Sequence, residues 1–220
     1  MIKIEHVETY GWEAAVRGMR NPLNSWEKSD SLSYMDDEGA TIDYLYDVGC
    51  KDKELMTTLV KAGPDHSKFM RMIGIAMDIV APLYWWKEFD TYKVGTVANS
   101  CSTMHKISAK PFEIDDFSHE HLFPHSPQFD SMDYLSAIIE HLNACREAYI
   151  RCNEKCFWWQ MIQLLPSSYN QRRTVTLNYA VARNQYHARK NHKLDEWHDY
   201  CKTLEALPHS DLITMEAQKG

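Results

Sequence analysis

A chain of 220 residues that is 44% apolar and 12% aromatic can bury a full core as one domain, taken here as residues 1–220. Its net charge of -7 argues against a dedicated nucleic-acid binder, whose affinity rests on a basic face that neutralises phosphates. No apolar run approaches the ~18 residues of a membrane span, and the opening MIKIEHVETYGW lacks the basic and apolar regions of a signal peptide. The cysteines (Cys50, Cys101, Cys145, Cys152, Cys156 and Cys201) are irregularly spaced with no C-x-x-C pair, which reads as reduced thiols. The expectation is a cytoplasmic protein with no membrane and no nucleic-acid partner.

In chain order, Ile2, Ile4 and Val7 roughly alternate with polar residues and predict a half-buried strand. A short helix follows over 11–20, stopped near Pro22. Residues 51–62 place Leu55, Met56, Leu59 and Val60 on one helical face, closed by Gly63 and Pro64. A second strand is predicted over 70–80. Residues 110–130, with Pro111, Pro124 and Pro127, read as a long irregular excursion, at about 108–130, whose tip is mobile or interfacial. From 131 to 165 the recurring Leu135, Ile138, Ile139, Leu142, Cys145, Tyr149, Cys152, Cys156 and Trp159 predict one long amphipathic helix ending before Pro166. Residues 172–178 alternate as a strand, two helices follow over 179–190 and 193–207, and the polar tail is expected to fray. The sum is an α+β fold, a twisted sheet covered by helices, with the long helix packed across it.

Residues 81–107, APLYWWKEFDTYKVGTVANSCSTMHKI, carry a distinctive frame: an Ala-Pro pair, an aromatic-rich segment, then a polar run. This stretch resembles the signature of flavin-dependent thymidylate synthases, in which Ala-Pro leads to R-H-R-x-x-S-x-N-E-x-S-x-R-Y. Residues 165–197, LPSSYNQRRTVTLNYAVARNQYHARKNHKLDEW, resemble that family's L-P-x-x-x-Y-T-x-F-x-W-T-x-N-A-R-x-x-x-N-F-x-x-L-R run, also without a gap. Ala15 to Arg20 is similar to its early A-V-R-A-A-R run, and GPDHSKFM, with His66, to its flavin-contacting G-H-E-T-P-F-E-H loop.

The resemblance implies a thymidylate synthase-complementing-protein-like fold, a homotetramer with sites shared between subunits, FAD as cofactor, and methylene-tetrahydrofolate and NADPH as co-substrates. It places Asn178, Asn184, His66, Tyr92, Lys93 and Thr96 at the flavin, and Glu88, Thr91, Asn99, Cys101, Thr103 and Arg189 at a pyrimidine nucleotide. Arg189 stands at the position of the arginine that polarises the base. Flavin needs amide donors and acceptors on its ring edges, and a uracil becoming an enolate needs a fixed cation beside it.

The departures are as specific. The arginines flanking the motif histidine become Thr91 and Lys93, the nucleotide-binding arginine becomes Thr103, and the motif glutamate, serine and upstream glutamine become Asn99, Cys101 and Glu88. Threonine does not replace a bidentate guanidinium on a phosphate. The implied activity is one-carbon transfer to a uridylate-type nucleotide, with a changed substrate or a hydroxymethylation as a variant. The alternative is a non-catalytic nucleotide-binding protein that kept the fold; a plain interaction module is a third reading.

Several features also have ordinary structural readings. Asn178 suits an N-cap; Arg189 sits in the basic run HARKNHK; Cys101 has no visible base and reads as an inert thiol. His119, His121 and His125 lack a matching carboxylate or cysteine set, so no metal is assigned. The Trp85-Trp86 and Trp158-Trp159 pairs suit core or subunit packing, with Trp85-Trp86 expected at a subunit interface.

Overall fold

The computed structural model describes residues 2–36, 43–124 and 130–216. Strand β1 (Lys3–Tyr10) leads through Gly11 into α1 (Trp12–Arg20), and the hairpin β2 (Leu32–Asp36) and β3 (Asp43–Asp47) precedes α2 (Cys50–Lys61). Strand β4 (Gly74–Pro82) runs into α3 (Leu83–Phe89), and β5 (Val97–Ser100) is followed by the short α4 (Thr103–Lys106). Helices α5 (Ser131–Cys152) and α6 (Lys155–Leu164) come next. Strand β6 (Asn170–Asn178), α7 (Tyr179–Arg189), α8 (Asp195–Glu205) and α9 (Asp211–Thr214) complete the fold. Four strands form one antiparallel sheet in the order β1-β4-β6-β5, and β2 pairs only with β3.

The sheet has a dry face and a wet face because side chains alternate along each strand. Ile75, Met77 and Ile79 of β4 oppose Leu177, Val175 and Arg173 of β6, and this face packs on Trp12, Trp85, Trp86, Phe89, Tyr179 and Trp197. On the other face Arg172 pairs with Glu5 at 2.7 Å and Asp78 at 3.5 Å, while Thr174 donates to Asp78 at 2.6 Å. Gly11 lets β1 turn into α1: its φ is +84°, and a Cβ there would lie 2.2 Å from the Met72 carbonyl oxygen.

Several sequence expectations need correction. The single helix over 131–165 is two helices, because Asn153 takes the left-handed conformation (φ 56°) and ends α5 with a 2.7 Å bond from its N–H to the Tyr149 carbonyl. Asparagine tolerates that conformation better than most side-chain-bearing residues. Nor does this pair lie across the sheet. Leu135, Ile139, Leu142 and Cys145 of α5 join Met161, Ile107, Phe112 and Phe117 in a separate second core.

The excursion therefore anchors that core. Phe112 and Phe117 are buried, a capping box between Glu113 and Asp116 closes a tight turn, and Phe117 bridges to Tyr169. His125, Pro127 and the rest of 125–129 lie outside the described residues. The tail does not fray as far as it is described: Leu212 and Ile213 of α9 are fully buried, and 217–220 lie outside the described residues.

Trp85 and Trp86 are 0% and 1% exposed within this one chain, so they are core residues and not interface anchors. Val7 is exposed because β1 carries a bulge between Glu5 and Glu8, with His6 at φ 52°, which breaks the alternation. The second strand starts at Gly74, four residues after the predicted 70, because Lys68–Arg71 form a 3-10 turn. Among the described residues no helix is long and apolar enough to cross a membrane.

Candidate functional site

The site begins where β4 hands over to α3. Pro82 is extended and cannot donate in the helix that follows, so α3 starts cleanly behind it and carries Glu88 in its last turn. The helix then unwinds through tight bonds, from Thr91 N–H to Glu88 O at 3.1 Å and from Tyr92 N–H to Phe89 O at 3.0 Å. Gly95, at φ +77°, turns the chain into β5; a Cβ there would lie 3.0 Å from Val181 Cγ2 and 3.1 Å from Asn178 Nδ2. Opposite, α7 is capped by Asn178, whose Oδ1 accepts from Val181 N–H at 3.1 Å, and ends on Arg189.

Arg189 is held on several sides. Its Nη1 donates to Glu88 Oε2 at 2.6 Å, its Nε donates to Tyr92 Oη at 2.9 Å, and its guanidinium lies 4.8 Å from the Trp197 ring centroid. Glu88 Oε2 also accepts from Trp197 Nε1 at 3.3 Å and lies 3.2 Å from His192 Nε2. His192 Nδ1 accepts from Leu194 N–H at 3.2 Å, which leaves the ring proton on Nε2 to donate to Glu88. The guanidinium is therefore pinned in orientation, with Nη2 left without a partner among the described residues.

A cleft of ≈ 270 Å³ adjoins this cluster, lined by Phe89, Asp90, Tyr92, Lys93, Thr96 and Ala98. Thr96 Oγ1 is buried without a partner among the described residues. On the sheet side Arg173 lies 4.2 Å from the Trp86 ring centroid and donates to Asp90 at 2.7 Å and to Gln171 Oε1 at 3.0 Å. Gln171 Nε2 in turn donates to the Cys101 carbonyl at 2.9 Å and to Thr103 Oγ1 at 3.1 Å.

The structure thus joins Glu88, Tyr92 and Arg189 directly, and sets Lys93 and Thr96 on the adjoining cleft. Asn178 reaches the Gly95 turn beside it. Asn99 on β5, Cys101 in the link that follows and Thr103 at the start of α4 sit farther along the edge, with Asn99 and Cys101 exposed. Thr91 turns its hydroxyl back onto the Glu88 carbonyl at 2.7 Å. His66 and Asn184 are exposed and take part in none of these contacts. His119 lies 2.8 Å from the Phe117 carbonyl and His121 3.1 Å from Asp195. Arg189, although it sits in the basic run HARKNHK, has a side chain only 18% exposed.

Sequence reading missed His192, Trp197, Arg173 and Asp90. Trp197 and His192 lie in the segment that carried the second resemblance, and the signal for them was an aromatic and an imidazole shortly after the matched arginine. A larger groove of ≈ 640 Å³, lined by Tyr10, Trp12, Arg17, Tyr46 and His209 among others, contains none of the residues that the resemblance places at the flavin or the nucleotide.

No protein-family model matches the chain, and no curated protein matches it. Solved structures do. A crystal structure of flavin-dependent thymidylate synthase ThyX from Helicobacter pylori, complexed with FAD and dUMP, aligns at 19% identity and a TM-score of 0.67, covering 97% of each chain. A second ThyX structure from Helicobacter pylori with FAD and dUMP gives 18% and 0.64, over 98% of this chain and 96% of that one. A UMP/dUMP methylase, PolB from Streptomyces cacaoi bound with 5-Br dUMP, gives 13% and 0.56, over 93% and 88%. The chain therefore has the fold of the flavin-dependent thymidylate synthases, built over nearly its whole length.

Proposed function

We propose that this chain is a flavin-dependent enzyme that transfers a one-carbon unit to a pyrimidine of the uridylate type. The observation that carries the reading is the oriented guanidinium of Arg189, fixed by Glu88, Tyr92 and Trp197 with a donor edge to spare. A pyrimidine that gains negative charge on a ring oxygen is stabilised by a donor that is already aimed, because no reorganisation is needed when the charge develops. In this reading Arg189 polarises the base, Tyr92 and Trp197 hold the guanidinium plane, and the aromatic walls exclude water.

The donor set fits a flavin. Thr96 Oγ1 is a buried hydroxyl with no protein partner among the described residues, Asn178 keeps its Nδ2 free of the cap, and the missing Cβ of Gly95 leaves the turn open beside both. Thr96, Asn178, Tyr92 and Lys93 would hold the cofactor, with Asn184 and His66 at its periphery. When bound, reduced flavin would supply hydride, with methylene-tetrahydrofolate as the carbon source and NADPH as reductant.

The reading also includes a cytoplasmic homotetramer with shared sites. Val94 and Val97, at 90% and 69% exposure, flank the cleft residues Lys93, Thr96 and Ala98 and would be covered by a second copy. Light scattering at micromolar concentration tests the assembly, and a monomeric mass would remove it. The absorbance spectrum of the purified protein, before and after added FAD, tests the function: flavin bands that stay with the protein support it, and their absence at saturating FAD would overturn it.

A further inference from the structure

We infer that Arg71 and Arg183 form the subsite for the pyrophosphate of the flavin dinucleotide; this deepens the flavin reading just given and rests on it. The two side chains line a pocket of ≈ 120 Å³ together with Gly63, Pro64, Ser67 and Ala180, and among the described residues no carboxylate lines it. Pockets that take a whole small molecule run to about 300–1,000 Å³. This one is sized for a charged group of a larger molecule.

Its cations are unspent. Arg20, Arg172, Arg173 and Arg189 each have a carboxylate within 2.7 Å, whereas Arg71 is exposed and has no hydrogen bond or ion pair among the described residues. Arg183 is half-buried, and its Nη1 donates to the Leu212 and Ile213 carbonyls at 3.0 and 3.2 Å, which leaves Nε and Nη2 without partners among the described residues. Glu216, the carboxylate whose charge acts on Arg183, is bonded to Lys190 at 2.6 Å. Burial pulls Arg183 below the usual guanidinium range, as expected of a desolvated cation that lacks a counter-charge of its own. Ser67 opens the 3-10 turn Lys68–Arg71 with no side-chain cap bond, so its hydroxyl is available too. Unpaired guanidinium forks with a hydroxyl beside them are the donors that a phosphate takes through charge-assisted bonds.

One helix joins this pocket to the residues assigned to the flavin. Ala180 and Arg183, three positions apart, share a face of α7 and line the pocket. Val181, on the neighbouring face, meets the turn before Thr96, where a Cβ on Gly95 would lie 3.0 Å from Val181 Cγ2. Asn184 follows Ala180 by four positions and Val181 by three, so it stands between the pocket and the cleft. The loop that carries His66 supplies another wall through Gly63 and Ser67. A dinucleotide with its ring at the Thr96 cleft thus has cations for its phosphates one helix face away. A carboxylate from a second copy is the competing occupant.

Flavin-fluorescence titration of the full-length protein with FAD and with riboflavin, at low and moderate salt, decides it. Arg71→Ala, at an exposed side chain bonded to nothing, is expected to weaken FAD by about fivefold or more, to leave riboflavin within about twofold, and to flatten the salt dependence of FAD affinity. Arg71→Lys is expected to restore that salt dependence. Arg183→Lys keeps the charge and a donor for the α9 carbonyls but removes the fork, and is expected to weaken FAD alone by about threefold. Unchanged FAD affinity in both Ala and Lys variants, whether or not the assembly changes, would overturn the inference and leave the flavin reading standing. An equal loss for FAD and riboflavin, with the salt dependence unaltered, would also overturn it, since it would show a structural role. Failure of the wild type to bind either flavin would overturn the flavin reading and the inference with it.

Discussion

Two arginine–carboxylate pairs of this molecule share a contact and differ in how fully their atoms are satisfied. Arg20 and Asp52 meet at 2.5 Å with side chains 5% and 0% exposed, and every charged atom is committed. Arg20 also donates to the Ser25 and Lys28 carbonyls, while Asp52 Oδ2 accepts from the Ser29 and Ser31 hydroxyls and from the N–H groups of Asp30 and Ser31. Arg189 and Glu88 form the same contact at 2.6 Å with 18% and 34% exposure, and leave Nη2 and Oε1 without partners among the described residues. The first pair pins the segment before β2 onto α1 and α2. The second holds a cation in aim while keeping hydrogen-bonding capacity for something else. Satisfaction, more than proximity, separates a pair spent on structure from one with capacity left for a ligand.

The largest effect is expected at the satisfied pair. Asp52→Ala leaves a buried guanidinium without its counter-charge and is expected to cost about 3–5 kcal/mol, read as a lowered midpoint in urea unfolding. Burial works to raise the Asp52 carboxyl, but the Ser29 and Ser31 hydroxyls and Arg20 outweigh it and hold its pKa below the usual range. A carboxyl depressed in the folded state stabilises the protein above its unfolded pKa, and that contribution is lost as pH falls through the folded value. Wild type is therefore expected to lose stability below about pH 4, and the Asp52→Asn variant to show a flatter acid limb. Equal acid limbs would show that this pair is not the titrating element.

A smaller change is expected at the open pair. Arg189→Ala removes one exposed-edge ion pair, a hydroxyl bond and a ring contact, at about 1 to 2 kcal/mol of stability, so the fold should survive. A loss as large as that of Asp52→Ala would mean that Arg189 is structural too, and would collapse the comparison. Asn178→Ala should cost about 1 kcal/mol through its cap alone. Its Nδ2 is expected to add a second signature, weaker FAD retention by absorbance, that an isolated cap would not show. Trp159→Ser should move the thermal midpoint by the equivalent of about 1 kcal/mol or less: Trp159 is 42% exposed and in neither core, and its ring meets only Trp158 at 4.8 Å and Lys155 at 5.7 Å among the described ring contacts.

The same contrast explains what the sequence made legible. The apolar periodicities of β4 and β6 and of α1, α2 and α7 are local, and they predicted those elements to within a few residues. On α2, however, the buried stripe runs Asp52, Met56, Val60, and an aspartate on an apolar stripe gives no sign from sequence that Arg20, far back in the chain, will neutralise it. The hairpin β2-β3 and the edge strand β5 went unread. β5 is four exposed residues, Val97–Ser100, with no buried face to impose alternation.

At the site, the matched register picked out Arg189, Glu88 and Tyr92, which do meet. It could not show that Glu88 faces Arg189 instead of a ligand, since their pairing spans 101 positions of chain. His192 and Trp197 were passed over for the same reason: only the packing of α8 and the turn before it against α3 brings them to Glu88.

The assignment of this cluster as a pyrimidine site is tested most directly by calorimetric titration of wild type and Arg189→Ala, both with FAD, against a panel of pyrimidine nucleosides and nucleotides. A loss of tenfold or more in affinity is expected for each ligand that wild type binds, about 1.4 kcal/mol or more, with the variant still cooperatively folded. Unchanged affinity for all of them would contradict the assignment and leave Arg189 as one more internal salt bridge.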